Sequence, residues 1–302
     1  MLNNNPKFSQ RHPFIFGLFL IILAMVLLIS TMAFFSILKN KFSIPFLSTK
    51  KIGVVNISGT ITDSRKYLDW ITTLKNSKNI VGVILRINSP GGVVAPSQEI
   101  YEAVRELNQV KPVVVSMGSV AASGAYYISC AAKVIVANPG TITGSIGVVA
   151  NLISIEGLLK KVGVEDQSIA TGKFKMAGSP LRKLTEEQRE YLKKLINNLY
   201  DQFVEAVAKG RRLDKKKIFP LADGRVFTGM QAKELGLVDY LGNMDKAIQI
   251  LKKICNISGE IDIIEGPQKK EPLIKRILGS VKNNSPINLK EGFYYICPLY
   301  AK

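Results

Sequence analysis

Residues 13–38 form a run of 26 positions without a charged side chain, which restricts what the N-terminal part of the chain can fold into. A helix of that length, at about 1.5 Å per residue, crosses a hydrocarbon core of about 30 Å, so the run predicts a transmembrane anchor. A cleaved signal peptide is the alternative, but its apolar region is shorter and precedes small residues, whereas KNKFSIPF follows here. Two basic residues precede the run and four follow it up to residue 51, so the positive-inside rule is ambiguous and slightly favours a cytoplasmic position for the rest of the chain.

Composition narrows the chemistry of the rest of the chain. The chain has 41 Lys and Arg residues against 23 Asp and Glu residues, which gives a net charge of +18. This charge favours contact with an anionic membrane surface, and nucleic acid is not expected as a partner. The three cysteines lie far apart with no CxxC pair, so neither a zinc site nor a disulfide framework is predicted, and no metal or cofactor is expected. The single histidine, His12, precedes the apolar run, which leaves the remaining chain without an imidazole for acid–base chemistry.

From residue 51 onward, short β-branched runs alternate with amphipathic stretches. KIGVVNISG, IVGVILRIN and PVVVSMG have the character of strands, whereas YLDWITTLKN and APSQEIYEAVRELNQ have that of helices. Near-continuous apolar strands separated by helices indicate an α/β fold with a mainly parallel sheet covered on both faces. Farther on, Thr185 and Gln188 predict a capping box in front of a long helix that ends at Gly210.

Two glycine-rich turns follow apolar strands, SPGG at residues 89–92 and GSVAASGA at residues 118–125. A strand that runs into a turn of small residues and then a helix directs backbone N–H groups to the C-terminal edge of a sheet, where they can hold a developing oxyanion. Ser123 has only Ala and Gly beside it, so its hydroxyl is unhindered and the Gly124 N–H lies near it, as an acyl-transfer nucleophile requires. A serine that caps the following helix is the alternative.

A serine nucleophile needs a base, and the chain after residue 12 contains no histidine. A carboxylate serves only if it is strongly desolvated, whereas a lysine whose pKa is lowered by burial is a known base, so a Ser–Lys dyad is the consistent chemistry. The lysines of GKFKMAGSP, Lys173 and Lys175, are candidates because glycines and apolar side chains surround them. Lysines on surface loops are commoner, and the residue pattern alone leaves the choice of lysine open.

Five blocks between residues 51 and 257 resemble the short form of signal peptide peptidase A: INSPGG, GSVAASGAYYISCAA, ITGSIGV, GKFKMAGSP before LTEEQREYL, and ADGRVFTGMQAKELGLVDYLGNMDKAI. Members of that family are membrane-anchored serine proteases. The resemblance implies a ClpP/crotonase-like fold with repeated β-β-α units, preceded by one transmembrane helix. It also implies a ring-like homo-oligomer in which serine and lysine meet across a subunit boundary, and a catalytic body on the extracytoplasmic side of the cell membrane.

The resemblance also implies a role for each matching residue. Family members often carry an acidic residue after the catalytic lysine, where this chain has Met176, and this departure keeps Lys173 as an alternative base. By position, the matches are the nucleophile Ser123, the general base Lys175, the lysine-orienting Ser145, and the oxyanion-hole residues Gly92 and Gly124.

These features together predict a single-pass, membrane-anchored serine endopeptidase whose partners are peptide substrates, membrane lipid and other copies of itself. Cleaved signal peptides or other apolar membrane-associated peptides are the expected substrates, with small or apolar P1 residues in a pocket lined by Ala, Val and Met. A crotonase-type acyl-CoA enzyme, with the same fold and oxyanion turns but no acyl-serine, is one alternative. A non-catalytic membrane scaffold is the other.

The predicted organisation is a short flank at 1–12, the anchor at 13–38, a linker at 39–50, the peptidase domain at 51–257 and a basic tail at 258–302. The tail ends in the aromatic stretch GFYYICPLY, which either docks on a neighbouring subunit or occupies the substrate groove as a product-like peptide. Alternatively, LIKRILGSVK and the aromatic end rest on the membrane surface. Cys130, which follows Ser123 in the same block, is interpreted as a small core residue.

Overall fold

The computed structural model describes residues 12–41, 50–267 and 292–296, and the chain divides into two units, Met1–Thr49 and Lys50–Lys302. Helix α1 (Pro13–Lys41) lies in the first unit and contains the stretch Pro13–Phe34, which is long and apolar enough to cross a membrane by length and composition. Exposed apolar side chains surround this stretch on all sides. That distribution is typical of a membrane span and differs from the one-sided pattern of a surface helix.

The second unit alternates strands and helices. Its first half contains β1 (Lys51–Ser58), α2 (Arg65–Asn76), β2 (Ile80–Ser89), β3 (Gly91–Val93), α3 (Val94–Val110), β4 (Val113–Ala122), α4 (Gly124–Ser129) and β5 (Val134–Ala137). Its middle contains β6 (Ile142–Gly144), β7 (Val149–Asn151), α5 (Glu156–Lys161), α6 (Glu186–Arg211), α7 (Lys215–Ile218) and a 3₁₀ turn (Phe219–Leu221). The remaining elements are β8 (Val226–Thr228), α8 (Gly229–Glu234), β9 (Tyr240–Leu241), α9 (Met244–Ile254), β10 (Asp262–Gly266) and β11 (Gly292–Ile296).

A parallel sheet with the strand order β10-β1-β2-β4-β5-β9 forms the centre of the second unit. Strand β4 extends beyond β5 and pairs there with β6, which in turn pairs with β8 in the antiparallel sense. At this end of the sheet Ser89 of β2 lies opposite Ala121, and Ala122 lies opposite Gly144. The two glycine-rich turns therefore lie next to each other at the C-terminal ends of neighbouring strands.

Apolar side chains cover both faces of the sheet, which confirms the predicted α/β fold. On one face Leu85 belongs to a large buried cluster with Ile100 of α3. On the other face Ile84 and Val114 form a smaller cluster with Leu251 of α9. Successive residues of one strand thus point into two separate cores, which explains why the strands are apolar at nearly every position.

Helix α6 begins as predicted but ends differently. Thr185 Oγ1 accepts a hydrogen bond from the Gln188 N–H at 3.2 Å and the Gln188 side chain accepts one from the Thr185 N–H, so the predicted capping box is confirmed. The predicted stop at Gly210 is wrong, because the helix continues to Arg211. A Cβ at position 210 would overlap the Cys130 carbonyl, so the glycine allows close contact with the segment after α4.

Two strands lie beyond residue 257, within the region assigned to the tail. Strand β10 pairs with β1 and forms one edge of the main sheet. Strand β11 lies in the centre of a second, antiparallel sheet with the order β3-β11-β7. The described parts of this region therefore belong to the sheets of the second unit, whereas the stretch LIKRILGSVK lies outside the described residues.

Candidate active site

Ser123 lies where strand β4 passes into helix α4. Its backbone has φ 54° and ψ −121°, a conformation that residues with a Cβ rarely adopt. Two hydrogen bonds of 2.8 Å hold the junction, one from the Ser123 N–H to the Gly144 carbonyl and one from the Tyr127 N–H to the Ser123 carbonyl. Such strain costs about 1–3 kcal/mol and is concentrated at functional sites. The side chain is presented on a sharp strand-to-helix turn, the geometry typical of a nucleophilic serine.

The Ser123 hydroxyl is buried, and its Oγ has no hydrogen-bond partner among the described residues. Two nearby buried serines are paired, since Ser129 Oγ donates to the Ala125 carbonyl at 2.8 Å and Ser97 Oγ to the Val93 carbonyl at 2.9 Å. The Ser123 side chain also makes no capping bond to α4, so the interpretation of this residue as a helix cap is wrong. An unpaired buried hydroxyl costs about 1–3 kcal/mol and is rare in folded proteins, which makes Ser123 a candidate functional residue.

The backbone of Gly124, the residue after Ser123, adjoins the backbone of Gly92. Strand β3 is held by Ile61, whose N–H donates to the Gly91 carbonyl at 2.9 Å and whose carbonyl accepts from the Val93 N–H at 2.7 Å. A Cβ on Gly92 would overlap the Ile61 carbonyl, so only glycine fits there. A Cβ on Gly124 would lie 3.2 Å from the Gly92 nitrogen. The two turns thus bring a pair of backbone amides together, as an oxyanion hole requires.

Ser145 directly follows strand β6, whose last residue, Gly144, pairs with Ala122 beside Ser123. Its backbone also has a positive φ, 51°, and its N–H donates to the Arg225 carbonyl at 2.8 Å. The residue is buried. Four of the five predicted site residues are therefore brought to one end of the sheet.

The fifth predicted residue, Lys175, lies on an exposed turn between α5 and α6. Within the described part of the chain no hydrogen bond joins its Nζ to Ser123 or Ser145. The alternative base, Lys173, forms an exposed ion pair with Glu187 and is engaged there. A single chain therefore does not bring the predicted lysine to the predicted serine.

The connection that carries Lys175 also exposes many large apolar side chains. We call residues 152–169 the apolar segment; its exposed members are Leu152, Ile153, Ile155, Leu158, Val162, Val164 and Ile169. Ile169 is completely exposed, and Leu158 and Val162 are each more than half exposed. A continuous stretch of this kind on a folded domain marks an interaction surface. The surface that precedes Lys175 is thus a candidate contact for another chain.

Strand β11 occupies the groove beside the two glycine turns. Tyr295 lies opposite Gly92, and Ile296 lies opposite Gly91, in the antiparallel sense. A Cβ on Gly91 would overlap the Tyr295 carbonyl oxygen, and a Cβ on Gly124 would lie 3.1 Å from that oxygen. The carbonyl of Tyr295 therefore lies beside the predicted oxyanion hole, where the carbonyl of a bound peptide is expected. Of the alternatives for the tail, the described strand fits occupation of the groove.

The side chain of Tyr295 fills a buried aromatic pocket that was not predicted. Its ring stacks on Tyr127 at 5.3 Å between centroids and packs against Phe203 of α6 at 4.7 Å. Its hydroxyl donates to the Leu199 carbonyl at 2.9 Å. Leu199 and Phe203 lie four residues apart on helix α6, and helical spacing does not distinguish a core position from a pocket wall. The aromatic run GFYYICPLY was the only available signal.

Cys130 is expected to resist alkylation in the folded protein. Its side chain is buried, as predicted for a core residue, and burial raises the pKa of its thiol to about 12. At pH 8 the reactive thiolate is then present at only about one part in 10⁴. Treatment with iodoacetamide followed by peptide mapping should leave Cys130 unmodified until denaturant is added. Modification in the native state at the rate of a free thiol would contradict this burial.

Two known families match this chain. The sequence profile described as "Peptidase family S49" matches residues 105–258, and that described as "Clp protease" matches residues 47–143. The first match contains Ser123, Ser145 and Lys175, and the second contains Gly92 and Gly124.

Related proteins from three organisms share the same region. The chain is 41% identical over 203 residues to a "Putative protease" of Methanocaldococcus jannaschii, covering 67% of this chain and 65% of that protein. It is 42% identical over 234 residues to a "Putative protease" of Synechocystis, covering 76% of this chain and 83% of that protein. It is 36% identical over 220 residues to the "Putative signal peptide peptidase SppA" of Enterococcus faecium, covering 68% of this chain and 64% of that protein. The chain thus spans slightly less than two thirds of the first and third of these relatives.

Proposed function

Because this chain belongs to peptidase family S49, a family of serine proteases, we propose that it is an endopeptidase with Ser123 as nucleophile and Lys175 as general base. In the first step Ser123 Oγ attacks the substrate carbonyl carbon while its proton passes to the Lys175 amine. The N–H groups of Gly92 and Gly124 stabilise the tetrahedral oxyanion. Lys175 then gives the proton to the leaving amine, and a water molecule activated by the same lysine hydrolyses the acyl-enzyme.

We propose that the lysine reaches the serine across a subunit boundary. Lys175 is exposed in the single chain, and the apolar segment that precedes it presents a surface that another copy of the chain can cover. Covering this surface would also remove water from the lysine, and desolvation favours the neutral, basic form of an amine. Ser145, at the same end of the sheet as Ser123, would orient the incoming amine by a hydrogen bond. In a closed ring of identical subunits, every serine receives a lysine from the adjoining subunit.

Between the two lysines of GKFKMAGSP, the contacts favour Lys175. The Lys173 amine is engaged by the Glu187 carboxylate and lies 5.1 Å from the centroid of the Phe174 ring. Recruiting Lys173 as a base would require that ion pair to break. Lys175 has no such ion pair among the described residues and is available to a neighbouring site.

The proposed substrates are cleaved signal peptides or other apolar peptides at the membrane. Helix α1 supplies the proposed single-pass anchor, with the catalytic unit (residues 51–257 and the strands beyond them) on the extracytoplasmic side. A substrate would bind in an extended conformation by adding a strand to the edge of β3, which is the position that β11 holds. The main-chain hydrogen bonds of such a strand give affinity for any sequence, and side-chain pockets give selectivity.

One observation carries the proposal: the buried hydroxyl of Ser123, a residue with a strained backbone, has no partner among the described residues, and the backbone of the next residue, Gly124, adjoins that of Gly92. We expect a fluorophosphonate probe to label the full-length protein in detergent micelles at Ser123, as located by peptide mapping. Ser119, an exposed serine of strand β4, provides the matched control, because Ser119→Ala should retain labelling whereas Ser123→Ala should lose it. Equal labelling of the wild type and Ser123→Ala, or no labelling of either, would contradict the proposal. The second result would fit an acyl-CoA enzyme or a scaffold.

A further inference from the structure

The turn that carries Lys175 is held by its own backbone hydrogen bonds. We call residues 172–179 the lysine turn. The Lys175 N–H donates to the Gly172 carbonyl at 3.1 Å, and the Ala177 N–H donates to the Phe174 carbonyl at 3.0 Å. These bonds fix the backbone on both sides of Lys175, while the residue itself is exposed. The lysine is thus presented to its surroundings from a defined backbone position.

Helix α6 supports the lysine turn on its N-terminal side. The Gln188 side chain, part of the capping box of this helix, also donates from Nε2 to the Lys173 carbonyl at 3.2 Å. Gln188 is buried, although the residues on either side of it are exposed. One helical turn later, the ring of Tyr191 stacks on that of Phe174 at 4.8 Å between centroids. These two contacts attach the residues that precede Lys175 to α6.

An ion pair closes the loop that contains the lysine turn. Asp166, in the apolar segment, accepts two hydrogen bonds on Oδ2 from Nε and Nη2 of Arg182, at 2.9 and 2.6 Å. Its other oxygen accepts from the Ser168 N–H at 3.0 Å and from the Ser168 hydroxyl at 2.5 Å. The hydrogen bonds from Ser168 and Arg182 lower the pKa of the Asp166 carboxyl to about 2, so it is ionised at neutral pH. Nearby, the Ile155 N–H donates to the Pro180 carbonyl at 2.7 Å.

The Asp166–Arg182 pair is better shielded than the other ion pair of this region. The Asp166 side chain is only 9% exposed, although its neighbours along the chain are exposed. The side chains of Lys173 and Glu187, by comparison, are 65% and 61% exposed. An exposed pair contributes little, whereas a shielded carboxylate that accepts two guanidinium hydrogen bonds holds both groups in one geometry. The pair therefore fixes the C-terminal side of the lysine turn relative to the apolar segment.

We infer that Asp166 and Arg182 are positioning residues for peptide hydrolysis, because they hold the lysine turn where it presents Lys175 to the serine of a neighbouring subunit. The inference rests on the proposed function, in which the serine and the lysine come from different subunits. A displacement of about 1 Å in a reacting group can lower the rate by about 10²-fold. The substrate is proposed to bind along β3, so its affinity should not depend on this pair.

The first test measures Asp166→Asn in the full-length protein in detergent. The amide replaces one acceptor oxygen by a donor and cannot satisfy Ser168 and Arg182 together. With a fluorogenic peptide, kcat should fall by about 10–10²-fold and KM should stay within about two-fold of wild type. Glu102→Gln, which removes the exposed ion pair with Arg105 on α3, is the matched control and should change neither constant. An unchanged kcat, or a defect mainly in KM, would overturn the inference.

A double-mutant cycle tests whether the two side chains act as one unit. Arg182→Gln should show a loss of kcat similar to that of Asp166→Asn. The double variant should lose no more than either single variant, because all three remove the same interaction. If the two losses in kcat multiplied in the double variant, the residues would act independently, and the inference would be wrong.

The final test places Asp166→Asn on either chain of a mixed assembly. The Ser123→Ala chain supplies the lysine and the Lys175→Ala chain supplies the serine. Asp166→Asn on the first chain should lower the restored activity by about 10–10²-fold, whereas on the second it should change the activity by less than about two-fold. Equal losses would indicate a role in folding or assembly, which refutes the inference and leaves the shared site intact. A mixture without activity before Asp166→Asn is added would refute the shared site itself, and the inference with it.

Discussion

Ser123→Ala is expected to lower kcat/KM for peptide hydrolysis by about 10⁴-fold or more, because the acyl-enzyme cannot form without the hydroxyl. The fold is expected to survive the change. Since Ser123 Oγ has no partner among the described residues, its removal leaves no donor or acceptor unpaired, and the unfolding temperature should not fall. Both quantities are measured on the full-length protein in detergent, with a fluorogenic peptide and a thermal melt.

Ser129→Ala is the matched control for this prediction. Ser129 is equally buried and lies at the end of the short helix that follows Ser123, but its Oγ donates to the Ala125 carbonyl at 2.8 Å. Its replacement should lower the free energy of unfolding by about 1 kcal/mol and leave kcat/KM within a few-fold of wild type. Ser123→Ala should therefore lose activity and keep its stability, whereas Ser129→Ala should lose stability and keep its activity. Full activity in Ser123→Ala would eliminate the assigned nucleophile.

Lys175→Ala is expected to reduce kcat/KM by about 10³-fold or more, since the serine would then lack the base that accepts its proton. Lys173→Ala is the matched control, two residues away in the same turn and also exposed. It removes a surface ion pair with Glu187, and such pairs contribute little to stability. Its activity should remain within a few-fold of wild type. If the two variants exchanged these phenotypes, Lys173 would be the base.

Mixing the two inactive chains tests whether the serine and lysine come from different subunits. In an assembly of Ser123→Ala and Lys175→Ala chains, a subunit that retains its serine can adjoin one that retains its lysine. Random mixing of equal amounts should restore about a quarter of the wild-type activity if each site is shared between two subunits. Co-expression with two affinity tags isolates the mixed assemblies, and Ser123→Ala paired with itself gives the background. Mixed assemblies without activity would place both groups in one chain.

Local patterns predicted much of this fold. The alternation of apolar strands and amphipathic helices depends on short-range periodicity, so the strand at KIGVVNISG and the helix at YLDWITTLKN lie where expected. The capping box of Thr185 is a contact between residues three apart and was equally predictable. The end of the same helix was not, because Gly210 serves a tight contact with the Cys130 carbonyl, which is distant in sequence.

The candidate site also contains features that the sequence predicted and features that only the structure shows. The turns that contain Gly92 and Ser123 follow neighbouring parallel strands, which end at one edge of a sheet, so their proximity could be inferred from the order of the strands. Ser145 was assigned by family resemblance alone, and its place at the same edge follows from the pairing of β6 with β4. The aromatic pocket could not be inferred, since Phe203 and Tyr127 are apolar residues on helices and fit a core equally well. The contact of Tyr295 with both rings joins segments far apart in sequence and is visible only in the structure.

The amino-acid sequence by itself determined the class of fold and the long apolar helix. It also restricted the acid–base chemistry, because the only histidine precedes that helix. Each of these features depends on composition or on neighbours along the chain. The tertiary structure alone decided that the Ser123 hydroxyl is buried without a partner among the described residues and that the groove is filled by strand β11. It also decided that Lys175 stands apart from the serine. These outcomes depend on contacts between segments far apart in sequence, whose distances no local pattern encodes.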